Sequence, residues 1–275
     1  MAITTADIAK LRQITAAGMM DCKAALTEAN GDFEKAIEII RKKGKLIANK
    51  RADREASEGV AMSKVSSDGK HGALIVLNCE TDFVAKNKDF IAVAEKILEV
   101  ALQNNPSSLD ELLKAKLDNI TVNEKVEEQM AVIGEKIQLA YYDKIEAHSV
   151  VAYIHPGNKL ATLVGFNKPN VDIQVMKDIA MQVAAMDPVA IDKNDVPQNV
   201  LDKELEIAKE QVRLEGKPEN MVEKIAAGKL NKFFNEKTLL NQEFIKDNKL
   251  TVRKYLENFD KELKVTEFKR YNLNI

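Results

Sequence analysis

A strand followed by an amphipathic helix occurs twice in this sequence, which restricts the chain to a few folds. The first copy is the apolar run at residues 73–77, followed by apolar residues at helical spacing over 88–103. The second copy is the apolar run at 160–166, followed by a helix whose apolar face begins near Val175. The repeat predicts a core of two α+β subdomains that lie side by side.

The two copies differ in the segment that joins the strand to the helix. In the first copy, residues 81–87 read Thr-Asp-Phe-Val-Ala-Lys-Asn. Phe83 fits neither the strand pattern nor the helix pattern, so we expect its ring to be partly exposed and able to insert into a partner. The alternative is that Phe83 folds back and covers its own strand. The second copy passes through residues 167–170 without an aromatic side chain, so only one copy carries this feature.

Three short helices are predicted within residues 3–43, separated by turn signals at Gly18 and at residues 30–32. Residues 41–54 are rich in Lys and Arg and lack a clear apolar face, so we interpret them as a solvated helical linker. Residues 1–54 together hold eleven basic and seven acidic residues, a net charge of +4 that could meet an acidic partner. A nucleic-acid binder that uses the basic linker is an alternative, although the linker lacks interleaved aromatics.

A further helix, a strand and a helical hairpin are predicted along the chain. The strand lies at residues 150–154, and residues 252–275 predict one helix and then one strand. Residues 197–234 have helical apolar spacing broken at 216–218, which is typical of a helical hairpin. The hairpin either binds a partner or has two arms that pack only on each other. The helix before strand 150–154 has its apolar positions at Val126, Met130, Ile133 and Ile137.

Composition and charge exclude several classes of protein. The 275 residues include 41 basic and 43 acidic side chains, and a net charge of -2 attracts neither nucleic acid nor an anionic membrane. Cys22 and Cys79 lie in apolar surroundings far apart in sequence, which is typical of reduced thiols in a cytosolic protein. Neither a secretory signal nor a membrane-spanning run is expected. We therefore expect a cytoplasmic protein whose partner is another protein, with no direct binding to nucleic acid or membrane.

Motifs for catalysis or for cofactor binding are missing from the sequence. No glycine-rich phosphate-binding motif occurs, and the three histidines have the spacing of neither a zinc site nor a nucleophile with its base. Glu80 and Asp82 lie on a polar turn, where a solvated carboxylate is expected. The sequence thus predicts a binding protein that is not an enzyme and that holds no cofactor and no metal.

Three motifs resemble the bacterial translation elongation factor Ts family. They are residues 11–26 with the turn at 30–32, residues 78–87, and residues 153–157. The resemblance spans nearly the whole chain and implies an α+β fold with an N-terminal three-helix domain like a ubiquitin-associated domain, a two-subdomain core with antiparallel sheets, and an inserted coiled-coil hairpin. The matching boundaries are 1–54 for the N-terminal domain with its basic linker, 55–140 for the first core subdomain, which carries residues 81–87, and 141–275 for the second core subdomain, with the hairpin at about 197–234.

The resemblance implies a guanine nucleotide exchange factor for elongation factor Tu, which promotes GDP release without covalent chemistry. In the family, the pair matching Asp82 and Phe83 enters the GTPase domain near Mg²⁺, an ion that tolerates little departure from octahedral geometry. Elongation factor Tu is expected as partner in its GDP-bound and nucleotide-free states, and the hairpin could support a homodimer or a 2:2 complex. The partner-binding residues implied by the motif match are Thr81, Asp82, Phe83, Val84, Met19, Met20, Lys23, Ile133, Gly134 and His155.

A second function stays open at this point. The N-terminal domain could belong to a protein-interaction adaptor that binds a ubiquitin-like or peptide ligand through Met19 and Met20, and then Asp82 and Phe83 would be dispensable. The sequence departs from the family pattern at Ala16, where many members have glycine. Many members also continue past the position of Ile275 into an extra helical module, whose contacts are not expected here.

Overall fold

The computed structural model describes residues 3–15, 17–51 and 53–274, with all of their side chains except those of residues 45 and 48–50. Ala16 and Ile275 lie outside the described residues. Runs of helices and antiparallel sheets make up the described chain, so the predicted α+β class is confirmed. Within the same residues, no helix combines the length and the apolar character needed to cross a membrane.

Three helices form an N-terminal domain around a small core of their own. The helices are α1 (Thr5–Thr15), α2 (Met19–Glu28) and α3 (Phe33–Lys50). Leu11 and Leu26 are fully buried in this core. The turn between α2 and α3 follows the predicted signal, because Gly31 has a left-handed φ of 86° and the Asp32 carboxylate accepts the Lys35 N–H at 3.1 Å.

The first strand–helix unit is a three-stranded antiparallel sheet covered by helices on one face. Its elements are β1 (Glu58–Val65), β2 (His71–Cys79), α4 (Asp82–Ala85), α5 (Lys88–Asn104), α6 (Leu109–Lys114), β3 (Lys116–Leu117), β4 (Ile120–Thr121), α7 (Val122–Ile133) and β5 (Gln138–Glu146). The sheet order is β1-β2-β5, and β3 and β4 form a small separate ribbon. The predicted strand at 73–77 and the predicted helix at 88–103 are confirmed as parts of β2 and α5.

The second unit has the same architecture and carries a helical hairpin. Its elements are β6 (Ser149–Ile154), β7 (Leu160–Phe166), α8 (Ile173–Met186), α9 (Gln198–Leu214), α10 (Glu219–Lys237), β8 (Glu243–Phe244), β9 (Asp247–Thr251), α11 (Val252–Phe259) and β10 (Val265–Asn272). The sheet order is β10-β7-β6, and all its pairs are antiparallel. Helices α9 and α10 pack on each other and bury Val212 and Val222.

The sheets of the two units pack face to face, which the repeat in the sequence did not specify. Successive side chains of a strand point to opposite faces of the sheet. Ile75 and Leu77 of β2 therefore lie in the core beneath α5 and α7, whereas Leu74 and Val76 pack between the sheets with Leu163 of β7. Both faces of β2 are buried, which explains why its sequence is continuously apolar and does not alternate.

Helix α3 extends past the N-terminal domain and docks on α7. Residues 41–50 are helical as predicted and Lys42, Lys43 and Leu46 are exposed, but the interpretation as a solvated linker is wrong for the face that packs on α7. Gly44 is buried at the crossing, where an added Cβ would lie 3.0 Å from the Glu127 carbonyl oxygen. Ile47 packs against the first core, and Arg41 lies 3.4 Å from the Glu128 carboxylate. These contacts join the N-terminal domain to the core.

Strand β5 crosses the subdomain boundary that the sequence predicted after residue 140. The strand pairs with β2 over its whole length, from Gln138 opposite Asn78 to Glu146 opposite His71. It therefore belongs to the first sheet, although its sequence contains no apolar run that would predict a strand. We propose that the division between the two sheet units lies after Glu146.

The prediction that Ile137 continues helix α7 is wrong. The helix ends at Ile133, because Gly134 adopts a left-handed φ of 79° and its N–H bonds the Met130 carbonyl oxygen at 2.9 Å. Ile137 is nevertheless 2% exposed, and it enters the first core from the loop before β5. Ile137 is apolar because it is buried, and not because it lies on the apolar face of a helix.

Candidate functional site

Residues 81–87 begin with a single helical turn, α4, and not with an irregular loop. Thr81 caps this turn, because its Oγ1 accepts the Val84 N–H at 3.4 Å. Ala85 is buried beneath the turn and Val84 packs partly against the first core. One side of α4 is therefore anchored, and Phe83 lies on its solvent side.

Phe83 is 82% exposed, which confirms the predicted exposure and rules out the alternative that its ring covers its own strand. Beside it, the Asp82 carboxylate accepts a hydrogen bond from the Lys86 ammonium at 2.6 Å, and this bond lowers the pKa of Asp82. The Asp82 side chain is 46% exposed. The turn thus presents an aromatic ring next to an ionised carboxylate, with both accessible to a partner.

Two glutamates connect α4 to the loop that follows α7. The Glu135 carboxylate accepts two hydrogen bonds from Thr81, at 3.1 Å from the backbone N–H and at 2.7 Å from Oγ1. In the opposite direction, the Glu80 carboxylate accepts the backbone N–H of Lys136 at 2.6 Å. Each glutamate therefore binds the segment that carries the other, and we call this arrangement the reciprocal clasp.

Glu80 also binds two arginines that follow helix α3. Arg51 donates from Nη1 to Oε1 at 2.6 Å, and Arg54 donates from Nη1 to Oε2 at 3.0 Å. Burial disfavours the charged carboxylate, but the Lys136 N–H and the two arginines outweigh it and lower the pKa of Glu80 to about 2. The expectation of a solvated carboxylate at Glu80 is wrong, since its side chain is only 15% exposed.

We expect the stabilising effect of the Glu80 charge to be present at neutral pH and to disappear in acid. Folding lowers the pKa of this carboxyl from 4.5 to about 2, so the effect is complete above the unfolded value and is lost as pH falls towards the folded value. Urea unfolding of the wild type and of Glu80→Gln measures it. The difference in free energy of unfolding should shrink between about pH 6 and about pH 3. A difference that stays constant over this range would contradict the expectation.

Cys79 ends strand β2 directly beneath the clasp. Its thiol is buried, which raises its pKa to about 12 and keeps it protonated. The thiol donates to the Thr81 carbonyl oxygen at 3.1 Å. Cys22 is also buried, so the predicted burial of both thiols is confirmed.

The other predicted site residues in the N-terminal domain lie on its surface. Met19 and Met20 start helix α2 with 52% and 75% exposure, and Lys23 follows one turn later in an exposed position. Asp21, between them, forms an ion pair with Lys43 of α3. The two methionines are therefore an exposed apolar pair on an element that is fixed to α3.

The structure brings Gly134 to the site but leaves His155 on a separate turn. Ile133 and Gly134 are partly buried at the end of α7, and Gly134 leads directly into Glu135 of the clasp. His155 is exposed in the turn between β6 and β7, with Nδ1 3.0 Å from the Tyr153 hydroxyl. Sequence reasoning identified all three positions only through the resemblance.

The turn that holds His155 lies at the same end of the molecule as α4. Within this turn, the Asn158 carbonyl oxygen accepts the Ala61 N–H at 2.7 Å, and Lys159 forms an ion pair with Glu58. Glu58 is opposite Cys79 in the register of β1 and β2. One end of the sheets thus presents two turns, of which α4 carries the more exposed aromatic.

The geometry of the site favours binding, because its most exposed group is an aromatic ring. In the described part of the chain, no three His, Cys, Asp or Glu side chains are grouped so as to hold a metal ion. Asp82 is paired with Lys86, and Glu80 has a lowered pKa, so neither carboxylate has the raised pKa of a general acid. The exposed ring of Phe83 is the dominant feature, and an exposed aromatic side chain of this kind can fill an apolar pocket of a partner.

Comparison with known proteins gives one consistent result. The family profile described as "Elongation factor TS" matches residues 80–274. A relative from Amoebophilus asiaticus, named Elongation factor Ts, is 52% identical over 272 residues, which cover 98% of each chain. Relatives of the same name from Porphyromonas gingivalis and Christiangramia forsetii are 50% and 52% identical, and the alignments cover 100% and 98% of this chain and 99% and 98% of theirs.

Proposed function

Because the chain belongs to the elongation factor Ts family, we propose that this elongation factor is the guanine nucleotide exchange factor of elongation factor Tu. The observation that carries the proposal is Phe83, 82% exposed on a capped turn beside an ionised Asp82. Exchange needs no covalent chemistry from this chain, which agrees with a site built for insertion. The chain then works in the cytoplasm, where translation occurs, without touching nucleic acid directly.

In the proposed mechanism, α4 enters the GTPase domain of elongation factor Tu near Mg²⁺. Phe83 wedges between helices of that domain, and the movement disturbs the coordination of the ion. Mg²⁺ demands near-ideal octahedral geometry, so a small displacement of its ligands weakens its hold on GDP. A turn of only four residues is narrow enough to bring Asp82 and Phe83 in together.

One inserted ring is not sufficient for efficient exchange. A thousandfold acceleration of GDP release needs about 4 kcal/mol, whereas burial of a Phe side chain contributes about 1.5–3 kcal/mol. We propose that Met19, Met20 and Lys23 supply a second contact beside the nucleotide site. The residues proposed to support the same interface from the core are Thr81, Val84, Ile133, Gly134 and His155.

The coupling between this chain and GDP is reciprocal. A factor that weakens GDP binding must itself bind less tightly once nucleotide has returned, because the two ligands change each other's affinity by the same ratio. The chain therefore binds both GDP-bound and nucleotide-free elongation factor Tu and leaves after exchange. The hairpin of α9 and α10, with Leu214 82% exposed, is where a homodimer or a 2:2 complex would form.

Stopped-flow release of fluorescent GDP from elongation factor Tu of the same organism tests the proposal. We expect wild-type protein to accelerate release by orders of magnitude and to saturate with concentration. A well-folded wild-type protein that leaves the release rate unchanged would overturn the exchange function. In that event, binding of a ubiquitin-like or peptide ligand to the surface of Met19 and Met20 becomes the function to test.

The double variant Met19→Ala/Met20→Ala should need about tenfold more protein for half-maximal acceleration of GDP release. Both side chains are mostly exposed, so their truncation removes contact with the partner and little of the folded core. The stopped-flow titration measures the shift. Met186→Ala, on a side chain 38% exposed at the end of α8, is the matched control and should leave the titration unchanged. Equal shifts in both variants would contradict a contact at α2.

A further inference from the structure

We propose that Glu135, together with Glu80, is a positioning residue of the exchange site and holds α4 in the conformation that presents Phe83. The inference rests on the proposed exchange function, because it assigns a role within that site. Neither glutamate belongs to the partner-binding residues implied by the resemblance. Glu135 acts through its bonds to Thr81, and Glu80, the residue before Thr81, acts through its bond to the Lys136 N–H.

Helix α4 cannot hold its shape by itself. It has only four residues, and a helix of one turn is unstable in water without outside contacts. Its capping bond from the Val84 N–H to Thr81 Oγ1 is long, at 3.4 Å. Phe83 adds little, since a ring that is 82% exposed has few contacts within its own chain. Ala85 and Val84 anchor one side of the turn on the first core, and the start of the turn depends on what holds Thr81.

Glu135 accepts from both hydrogen-bond donors of Thr81 at once. Its Oε2 accepts the Thr81 N–H at 3.1 Å, and its Oε1 accepts the hydroxyl hydrogen at 2.7 Å. A hydroxyl has one hydrogen and two lone pairs, so donation to Glu135 leaves a lone pair free to cap the turn. The same bond thus orients Thr81 Oγ1 as the acceptor that Val84 requires.

Glu80 completes the clasp and ties it to the rest of the interface. It bonds the Lys136 N–H, and the loop that contains Lys136 starts at the end of α7, on which α3 docks. Arg51 and Arg54 reach the same carboxylate from beyond α3. The element that carries the N-terminal domain and the turn that carries Phe83 are therefore anchored at one place. A surface ordered before binding has less conformational freedom to lose when a partner docks.

Exchange kinetics of Glu135→Gln and Glu135→Ala test this role. The amide of Gln accepts at only one of its two terminal atoms, so one Thr81 donor loses its partner, and Ala removes both acceptors. A disordered α4 lowers the fraction of protein ready to bind, which raises the concentration needed for half-maximal exchange by the same factor. We expect KM for GDP-bound elongation factor Tu to rise about tenfold in Gln and further in Ala, with kcat within about twofold of wild type.

Glu124→Gln, at the start of α7, is the control, because Glu124 also binds the capping threonine of a helix. It accepts the Thr121 N–H at 2.9 Å and the Thr121 hydroxyl at 3.1 Å, but both bonds end on Oε2, whereas Glu135 uses one oxygen for each Thr81 donor. The amide oxygen of Gln can still accept both bonds at position 124, so we expect this variant to leave KM unchanged. An equal rise of KM in Glu124→Gln and Glu135→Gln would overturn the positioning role, because general destabilisation would then explain both.

Hydrogen exchange of the free protein separates this inference from the function on which it rests. The amides of Val84 and Ala85 should exchange faster in Glu135→Gln than in wild type or in Glu124→Gln, and this readout needs no partner. Unchanged protection of both amides in Glu135→Gln would overturn the inference even if wild-type protein accelerates GDP release. Failure of wild-type protein to accelerate release, with faster amide exchange in the variant, would overturn the exchange function alone.

Discussion

Phe83→Ala is expected to reduce the acceleration of GDP release by tenfold or more and to leave the thermal stability of the protein almost unchanged. The ring is 82% exposed in the free chain, so its removal opens no cavity in the core. In the proposed complex the same ring is buried, and loss of about 1.5–3 kcal/mol corresponds to roughly a 10- to 150-fold slower release. Stopped-flow release of fluorescent GDP and a thermal melt measure the two quantities.

Two further variants show whether the effect belongs to the ring at this position. Phe83→Leu keeps a smaller apolar side chain, and its acceleration of GDP release should be intermediate between those of the wild type and Phe83→Ala. Phe259→Ala removes a ring that is 56% exposed on α11, and it should leave the release rate unaffected. If Phe83→Ala accelerated release as strongly as wild type, insertion of the ring would have to be abandoned as the mechanism.

Gly59→Ala should lower the free energy of unfolding by about 2–4 kcal/mol. Gly59 lies in β1 opposite Asn78 of β2 and has a φ of +148°, a region that side chains other than that of glycine rarely adopt. An added Cβ would also lie only 2.3 Å from the Leu77 carbonyl oxygen. Because the obstacle is backbone and not a flexible side chain, β1 and β2 must move apart at this point. The point of separation lies at Asn78, two residues before Glu80 of the clasp.

Gly228→Ala is the matched control, and it should raise the free energy of unfolding instead of lowering it. Gly228 is exposed in the middle of α10, and apart from its chain neighbours and the nearby backbone of its own helix, no heavy atom lies within 4 Å of the position of an added Cβ. Alanine inside a helix is more favourable than glycine by about 0.5–1 kcal/mol. Urea unfolding of both variants measures the two changes. Losses of equal size would contradict the steric explanation at Gly59.

Local patterns predicted most of the helices and strands. The apolar runs became β2 and β7, and the helices after them became α5 and α8. Helix ends could also be predicted, since the predicted turn at residues 30–32 separates α2 from α3. These features depend on a residue and its near neighbours, so a single sequence carries them. Strand β5 escaped prediction because several of its side chains are exposed or half-buried, which gives no apolar run.

The sequence predicted the exposed aromatic ring of the site but not the glutamates that support it. Phe83 could be predicted as exposed because it fits neither neighbouring pattern. Glu135 gave no such signal, since its partner Thr81 is 54 residues away and a glutamate after a helix is ordinary. The expectation of a solvated carboxylate at Glu80 failed for the same reason, because the arginines that bind it come from a segment that the sequence predicted to be solvated.

The sequence by itself determined most of the secondary structure, the exposed ring of Phe83 and, through its motifs, the family. Only the tertiary structure decided that the sheets pack face to face, that α3 docks on α7, and that Glu80 and Glu135 hold α4. The physical reason is the range of the interactions. Hydrophobic spacing and capping act over a few residues, whereas ion pairs and side-chain hydrogen bonds between distant segments exist only after packing has brought those segments together.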